Sequence, residues 1–147
     1  MHRPHLEKIR ISDLISHEAT VPEQIKTSTE AMLSENVLKR PIVVHFIKGE
    51  NKYLIIDGHH RVESLKGLGC KYVIANIVEY FSEEIRVRSW AGGKQWGKIE
   101  VIRSALDGRL MAPKSTKHVI VMYGEERPFH RNDVVEPVID YPLSRLV

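Results

Sequence analysis

Residues 57–61, which read Asp-Gly-His-His-Arg, bring together the side chains best suited to chemistry. They follow the apolar run 53–56, which predicts a buried strand, and they precede a helical repeat of apolar residues. The first turn of a helix has unpaired backbone N–H groups and the positive end of the helix dipole, so it attracts an anion. Gly58 lets the backbone approach a ligand, and Arg61 offers a planar fork of donors that matches phosphate oxygens. The loop therefore predicts a phosphate site, to which the two histidines add donors.

Asp57 does not suit an anion site by itself, so it needs another explanation. It could be a magnesium ligand, or the N-cap of the following helix. The plainer alternative for the whole segment is an ordinary Asp-Gly turn followed by a solvated first turn of helix. A zinc site is disfavoured because adjacent histidines point in different directions and no second ligand pair stands at metal-binding spacing.

A second polar segment, residues 114–118, reads Lys-Ser-Thr-Lys-His and precedes the apolar run 119–122. Its two lysines and its hydroxyl groups favour an anion site. The alternative is an exposed approach to a strand. Three other histidines, His17, His45 and His130, have no partner at a suggestive spacing and are interpreted as structural or solvated.

Periodicity and turn residues predict a compact α+β domain with a mixed sheet. Helices are expected from Pro22 to Asn36, after Arg61 up to Gly69, and around residues 99–106, with one more helical turn at Leu143 and Leu146. Strands are expected at residues 6–11, 42–46, 53–56, 72–78, 85–90 and 119–122. Apart from that helical turn, the stretch after Gly124 is polar and interrupted by prolines.

Composition sets wider limits. A chain of 147 residues with 42% hydrophobic residues has the size of one domain. The single cysteine, Cys70, excludes an internal disulfide and a multi-cysteine zinc site. No apolar run approaches the length of a membrane span, and no hydrophobic signal region follows the start, so we expect a cytoplasmic protein without a membrane partner. The net charge of +3 suits a phosphate pocket as well as a weak nucleic-acid contact and decides neither.

In the order and spacing of these elements, residues 6–78 resemble the ParB/sulfiredoxin superfamily. The resemblance implies a compact ParB/sulfiredoxin-like fold, a mixed β-sheet with flanking short helices, that binds a nucleotide or phosphate at residues 57–61. We expect one domain over residues 1–147, with 1–80 as the core phosphate-binding unit and 81–147 as the part that carries residues 114–118. His59 stands where sulfiredoxins have their catalytic cysteine, and Cys70 lies after the helix, so sulfinic acid repair is not expected.

The sequence is most similar to the free serine kinases of this superfamily. That resemblance implies a phosphotransferase that uses ATP or ADP, with Mg²⁺, to convert L-serine into O-phospho-L-serine. It makes Glu18 and Asp57 the catalytic residues, with Asp57 as the magnesium ligand and with Glu18 and Trp90 beside the serine. The implied phosphate-binding or nucleotide-binding residues are Gly58, His59, His60, Arg61, Lys114, Ser115, Thr116, Lys117 and His118. Two departures stand out: the chain is shorter than typical members, and Lys117 replaces an arginine, which keeps the charge but loses the bidentate geometry.

Two alternatives follow from the same resemblance. One is a ParB-like DNA-binding protein or nuclease, for which the chain lacks a downstream helix-turn-helix and a strongly basic recognition helix, so nucleic acid is not the expected partner. The other is a nucleotide-binding regulator without catalytic activity. Small-molecule substrates are the expected partners, and the sequence leaves the oligomeric state open.

Overall fold

The computed structural model describes residues 3–89 and 96–147. The described strands are β1 (Leu6–Arg10), β2 (Leu14–Ile15), β3 (Val37–Leu38), β4 (Ile42–Ile47), β5 (Lys52–Asp57), β6 (Tyr72–Ile77), β7 (Ile85–Arg88), β8 (Lys117–Met122), β9 (Glu125–Pro128) and β10 (Tyr141–Pro142). The described helices are α1 (Pro22–Glu35), α2 (His59–Gly67) and α3 (Lys98–Leu106). The α+β class predicted from the sequence is therefore confirmed.

Five strands form the main sheet, in the order β1-β6-β4-β5-β2. The hairpin β4–β5 is antiparallel, and so is the pair β1–β6, whereas β4 lies parallel to β6 and β2 lies parallel to β5. The sheet is thus mixed, as expected. Its central strands read as continuous apolar runs because both faces of the sheet are covered.

Successive side chains of β5 point to opposite faces of this sheet, which separates two hydrophobic cores. Ile55 packs with Met32, Val62 and Leu65 from α1 and α2. Leu54 and Ile56, on the other face, belong to a second core that also contains residues of α3, β7 and β8. Since β5 contributes to both cores, its carboxyl end has little freedom to move, and Asp57 lies at that end.

The observed helix bounds agree with the predictions to within a few residues. Pro22 occupies the first turn of α1, and Asn36 ends the helix in a left-handed conformation with φ of 57°. Helix α2 begins earlier than its apolar stripe suggests, at His59, with Val62 and Leu65 buried. A 3-10 turn at Leu143–Arg145 matches the helical turn expected there.

The second sheet, β7-β8-β9, is antiparallel throughout. The predicted strand over residues 85–90 ends at Arg88, and Trp90 lies outside the described residues. Strand β9 was not expected, because its residues Glu125–Pro128 are all exposed and its formation depends on pairing with β8 rather than on an apolar pattern. None of the described helices has the length and apolar character that a membrane span requires.

The end of the chain returns to the first half of the molecule. Strand β10 pairs with β3, and Leu146 is completely buried in the core beneath α1 and α2. Asn76 of β6 donates a buried hydrogen bond to the carbonyl of Val135 at 2.8 Å. These contacts hold the segment between β9 and β10 against the main sheet.

Candidate active site

A cleft of about 840 Å³ lies where the end of β5, the start of α2 and the start of β8 meet. Nearly all the residues predicted from the sequence to form the site line this cleft, namely Glu18, Asp57, Gly58, His59, His60, Arg61, Lys114, Thr116, Lys117 and His118. Ser115 does not line it, and the hydroxyl of Ser115 donates instead to the carbonyl of Ala112 at 2.6 Å. Trp90 cannot be placed, since it lies outside the described residues. Two segments that are far apart in the sequence thus meet in one cleft.

Gly58 is the residue that turns the chain from β5 into α2. It is the N-cap of α2, with φ of 111°, a conformation that residues with a side chain rarely adopt. A Cβ atom at this position would lie only 2.5 Å from Cγ2 of Ile42. The N-cap is therefore Gly58 and not Asp57, which is the last residue of β5.

Glu18 is held by the segment that precedes β8. Oε1 of Glu18 accepts hydrogen bonds from the backbone N–H of Thr116 at 3.1 Å and from the hydroxyl of Thr116 at 3.2 Å. Burial raises the pKa of Glu18, and the backbone N–H groups of Thr116, Lys114 and Ser115 partly offset this effect. The carboxyl group therefore takes up a proton more readily than an exposed glutamate does.

His17, which precedes Glu18, is buried between β5 and the same segment. Its Nδ1 lies 2.9 Å from the carbonyl oxygen of Ile55, and its Nε2 lies 3.2 Å from Oγ1 of Thr116. A carbonyl oxygen accepts only, so Nδ1 carries the hydrogen and Nε2 of the neutral ring is an acceptor. Burial lowers the pKa of His17 to about 4, so the ring is neutral at neutral pH.

Two further buried histidines pack against His17. The ring of His59 packs edge-on against it at 4.7 Å, and the ring of His118 does so at 5.6 Å. Burial lowers the pKa of His118 to about 3 and holds that of His59 well below its ordinary value. Nε2 of His118 lies 2.8 Å from the hydroxyl of Tyr80, whereas Nε2 of His59 contacts no donor or acceptor of the described residues. His59 can therefore offer a hydrogen bond to a ligand, but none of the three rings carries a positive charge at neutral pH.

His60, in the first turn of α2, forms a hydrogen bond with the start of α1. Its Nε2 accepts a hydrogen bond from the backbone N–H of Val21 at 3.0 Å, and Val21 is the N-cap of α1. This ring nitrogen is therefore occupied by the protein. Only Nδ1 of His60 remains to meet a ligand in the cleft.

Arg61 is almost entirely engaged with oxygen atoms of the protein. Nη1 donates to the carbonyl of Pro41 at 2.7 Å, while Nη2 donates to Oδ2 of Asp57 at 3.2 Å and to Oε1 of Glu136 at 3.1 Å. Burial favours loss of its proton, but Glu136 and Asp57 outweigh this effect and raise the pKa of Arg61. Arg61 lines the cleft chiefly as the counter-ion of two carboxyl groups.

Glu136 is the residue of this site that the sequence did not reveal. Its side chain is 1% exposed, and burial, together with the nearby Asp57, raises its pKa far above the ordinary value despite Arg61. Burial also acts to raise the pKa of Asp57, but Glu136 and Arg61 overcome it, so the pKa of Asp57 is lowered. The only local signal was an acid that follows two valines and precedes a proline in a polar stretch.

His130, interpreted from the sequence as structural or solvated, also belongs to this group. One of its ring nitrogens lies within 4.8 Å of a carboxyl oxygen of Asp57 and of Glu136. His45, by contrast, lines no part of the cleft, and its Nδ1 lies 3.3 Å from the carbonyl oxygen of Val78.

The main sheet and Gly58 at the start of α2 lie within the part of the chain that matches a known family. Residues 2–90 match the family described as the ParB N-terminal domain, and the chain belongs to that family.

Two similar proteins are named L-serine kinases. An ATP-dependent L-serine kinase of Staphylothermus marinus is 42% identical over 88 residues, which are 58% of this chain and 35% of that protein. An ADP-dependent L-serine kinase of Thermococcus kodakarensis is 32% identical over 82 residues, which are 56% of this chain and 34% of that protein. The matched part is thus about one third of the length of these relatives.

The fold has a counterpart among solved structures. A free serine kinase in complex with AMP superimposes with a TM-score of 0.82 at 17% sequence identity, over 99% of this chain and 95% of that chain. At this identity the likeness establishes the fold. Since it covers 99% of this chain, the likeness extends beyond residue 90, where the family match ends.

Proposed function

We propose that this chain is a free L-serine kinase, which transfers a phosphoryl group from ATP or ADP to the serine hydroxyl and forms O-phospho-L-serine. The names of its relatives support this activity. The observation that carries the proposal is the position of Glu18, whose half-buried carboxyl group opens on the same cleft as the start of α2. An acid for the nucleophile and a helix start for the phosphates are thus placed together.

Glu18 acts as the general base in this proposal. As the serine oxygen forms its bond to phosphorus, its proton passes to Glu18 and the bond from phosphorus to the leaving nucleotide oxygen breaks. The raised pKa of Glu18 makes its carboxylate a stronger base than an exposed one, and the hydrogen bonds from Thr116 fix its orientation. A positioned base of this kind contributes about 10²–10⁴-fold to a rate.

The start of α2 receives the phosphates. The backbone N–H groups of its first turn, together with Nδ1 of His60 and Nε2 of His59, supply hydrogen-bonding positions. Positive charge comes from the side chains of Lys114 and Lys117, which line the cleft. Arg61 contributes by holding Asp57 and Glu136, and its direct contact with phosphate remains a prediction.

Asp57 fits the role of magnesium ligand in this reaction. Its pKa is lowered, so its carboxylate is ionised at neutral pH, and it lines the cleft beside the helix start. A bound Mg²⁺ would neutralise charge on the phosphoryl group being transferred.

Trp90 is proposed to shape the serine pocket, although it lies outside the described residues. We further propose that residues 1–147 work as one domain. Residues after position 80 add a second wall to the cleft of the core phosphate-binding unit. From this part, Thr116 bonds to Glu18 and Glu136 bonds to Arg61.

The test is incubation of the purified protein with L-serine, Mg²⁺ and either ATP or ADP, followed by detection of O-phosphoserine by mass spectrometry. We expect product with one of the two donors, and a loss of about 100-fold or more in kcat for Glu18→Gln, which cannot accept the proton. Glu50→Gln, in the exposed turn between β4 and β5, is the matched control and should keep full activity. Equal rates for Glu18→Gln and the parent would refute the role of Glu18, and absence of product with both donors would refute the activity.

A further inference from the structure

Two carboxyl groups meet at the rim of the phosphate-binding loop. The side chain of Glu136 contacts that of Asp57, and both accept hydrogen bonds from Nη2 of Arg61. Two ionised carboxylates in contact repel each other, and Arg61 supplies only one positive charge for the pair. A proton or a cation must therefore supply the remaining positive charge.

Glu136 has an oxygen atom that the protein leaves unused. Oε1 accepts from Arg61, but Oε2 is buried and accepts no N–H or O–H hydrogen from the described residues. Burying a carboxyl oxygen without a partner is costly, so natural proteins rarely do so without a ligand or a role for that atom. The contact with Asp57 and this oxygen concern the same carboxyl group, and both indicate that a proton or an ion lies between Asp57 and Glu136.

A third group completes the set. His130 places a ring nitrogen near the carboxyl oxygens of Asp57 and Glu136, and the three ligand atoms all lie within 4.8 Å of one another. Side-chain atoms at this separation can share one ion with small adjustments. The set contains two carboxyl groups and one imidazole, which are ligands for a divalent cation.

The backbone that carries Glu136 is fixed. Its carbonyl oxygen accepts from Nη1 of Arg40 at 2.6 Å, and the carbonyl of Val135 accepts from the buried amide of Asn76. Oδ1 of Asn132 accepts from the backbone N–H groups of Val134 and Val135, which closes the preceding turn. A ligand on such a rigid segment loses little conformational freedom when it binds an ion.

We infer that Asp57, His130 and Glu136 form a divalent-cation site, with Glu136 and His130 as ligands in addition to Asp57. The imidazole nitrogen makes Mn²⁺ the tighter occupant, because Mg²⁺ prefers oxygen ligands only. The inference extends the magnesium role proposed for Asp57. Binding of the ion itself requires neither serine nor nucleotide.

The experiment is a titration of the nucleotide-free protein with Mn²⁺, in which the EPR signal of free Mn²⁺ reports binding and the melting temperature reports stabilisation. We expect one Mn²⁺ per chain, tighter binding than for Mg²⁺ in competition, and an affinity about tenfold or more lower in Glu136→Gln. His130→Gln should weaken Mn²⁺ binding more than it weakens Mg²⁺ binding, because it removes the nitrogen ligand. Asp133→Asn is the matched control, since this acid is in the same segment but 82% exposed and paired with Arg40.

Unchanged Mn²⁺ affinity in Glu136→Gln, or no binding by the parent, would overturn the inference and leave Asp57 and Glu136 as a pair of acids that share a proton. If Glu136→Gln does not fold, as judged by circular dichroism, His130→Gln at the exposed ring decides the question by the same criterion. Because these measurements omit serine and nucleotide, their outcome is independent of whether the chain phosphorylates serine.

Discussion

Glu18 and Thr116 are joined by two hydrogen bonds to a single carboxyl oxygen, one from the backbone N–H and one from the hydroxyl. The same hydroxyl lies 3.2 Å from Nε2 of His17, which is an acceptor when Nδ1 holds its hydrogen for the carbonyl of Ile55. One hydroxyl hydrogen cannot serve both acceptors. The ionised carboxylate of Glu18 is the stronger acceptor, so the hydroxyl donates to Glu18.

Replacement of Thr116 by valine tests this arrangement. Thr116→Val keeps the shape and the backbone N–H but removes a hydrogen bond that favours the ionised form of Glu18, so the pKa of Glu18 should rise further. If Glu18 acts as a base, activity requires its ionised form, and the acidic limb of the pH profile of kcat/KM should move to higher pH. We also expect kcat to fall by about tenfold, the size of one lost hydrogen bond to a charged group.

Thr116→Ser is the control for this variant, since it retains the hydroxyl. Its acidic limb should coincide with that of the parent. An unmoved limb in Thr116→Val would show that the hydroxyl does not influence the pKa of Glu18.

The buried histidines predict how stability depends on pH. The pKa of His17 is about 4 in the folded chain and 6.5 when exposed, so the unfolded chain binds the proton first as the pH falls. Stability should therefore be highest above pH 6.5 and should be lost as the pH falls towards 4, by about 3 kcal/mol from His17 alone. Urea unfolding followed by fluorescence between pH 7.5 and 4.5 measures this loss.

His17→Asn keeps a donor for the carbonyl of Ile55 and cannot take up a proton. This variant should be less stable than the parent at pH 7 but should show a shallower decline on acidification. A slope in His17→Asn as steep as that of the parent would contradict burial of a neutral His17.

The turn into α2 predicts a position that admits only glycine. Gly58→Ala would place a Cβ atom 2.5 Å from Cγ2 of Ile42 and would also force alanine into φ of 111°. We expect a loss of about 3 kcal/mol in the free energy of unfolding, because backbone strain and steric overlap act together. Thermal unfolding of the purified variant measures the effect.

Gly49→Ala separates the two causes. Gly49 also has a positive φ, 88°, but a Cβ atom there would meet nothing within 4 Å. Its variant should lose only about 1 kcal/mol, from the backbone alone. Equal losses at the two positions would show that the contact with Ile42 contributes nothing.

Local signals predicted much of this fold. The apolar run before Asp57, the glycine at position 58 and the proline at the start of α1 act over a few residues, and each marked an element that the structure contains. The family resemblance predicted that Glu18 and residues 114–118 face the phosphate loop, and all of these except Ser115 line the cleft. What could not be predicted depends on distant contacts.

Arg61 illustrates this limit. An arginine after a glycine at a helix start suggests a phosphate ligand, yet its main partners are carbonyl oxygens near the start of β4 and an acid 75 residues further along. Glu136 has no sequence pattern of its own, and the residues that hold its backbone and that of Val135, Arg40 and Asn76, are distant in the sequence. Periodicity predicts which side chains are buried, but it does not predict which buried charged groups form pairs.

The hydrogen bond of Asn76 limits what a match to this family implies about the cleft. The side-chain amide donates to the carbonyl of Val135 and so attaches one wall of the cleft to the central sheet. That wall comes from residues beyond position 90, where the family match ends. Another chain can therefore match this one over residues 2–90 and still differ at the position of Glu136, which lies outside that range. In this chain the carboxyl group that contacts Asp57 comes from the segment that Asn76 anchors.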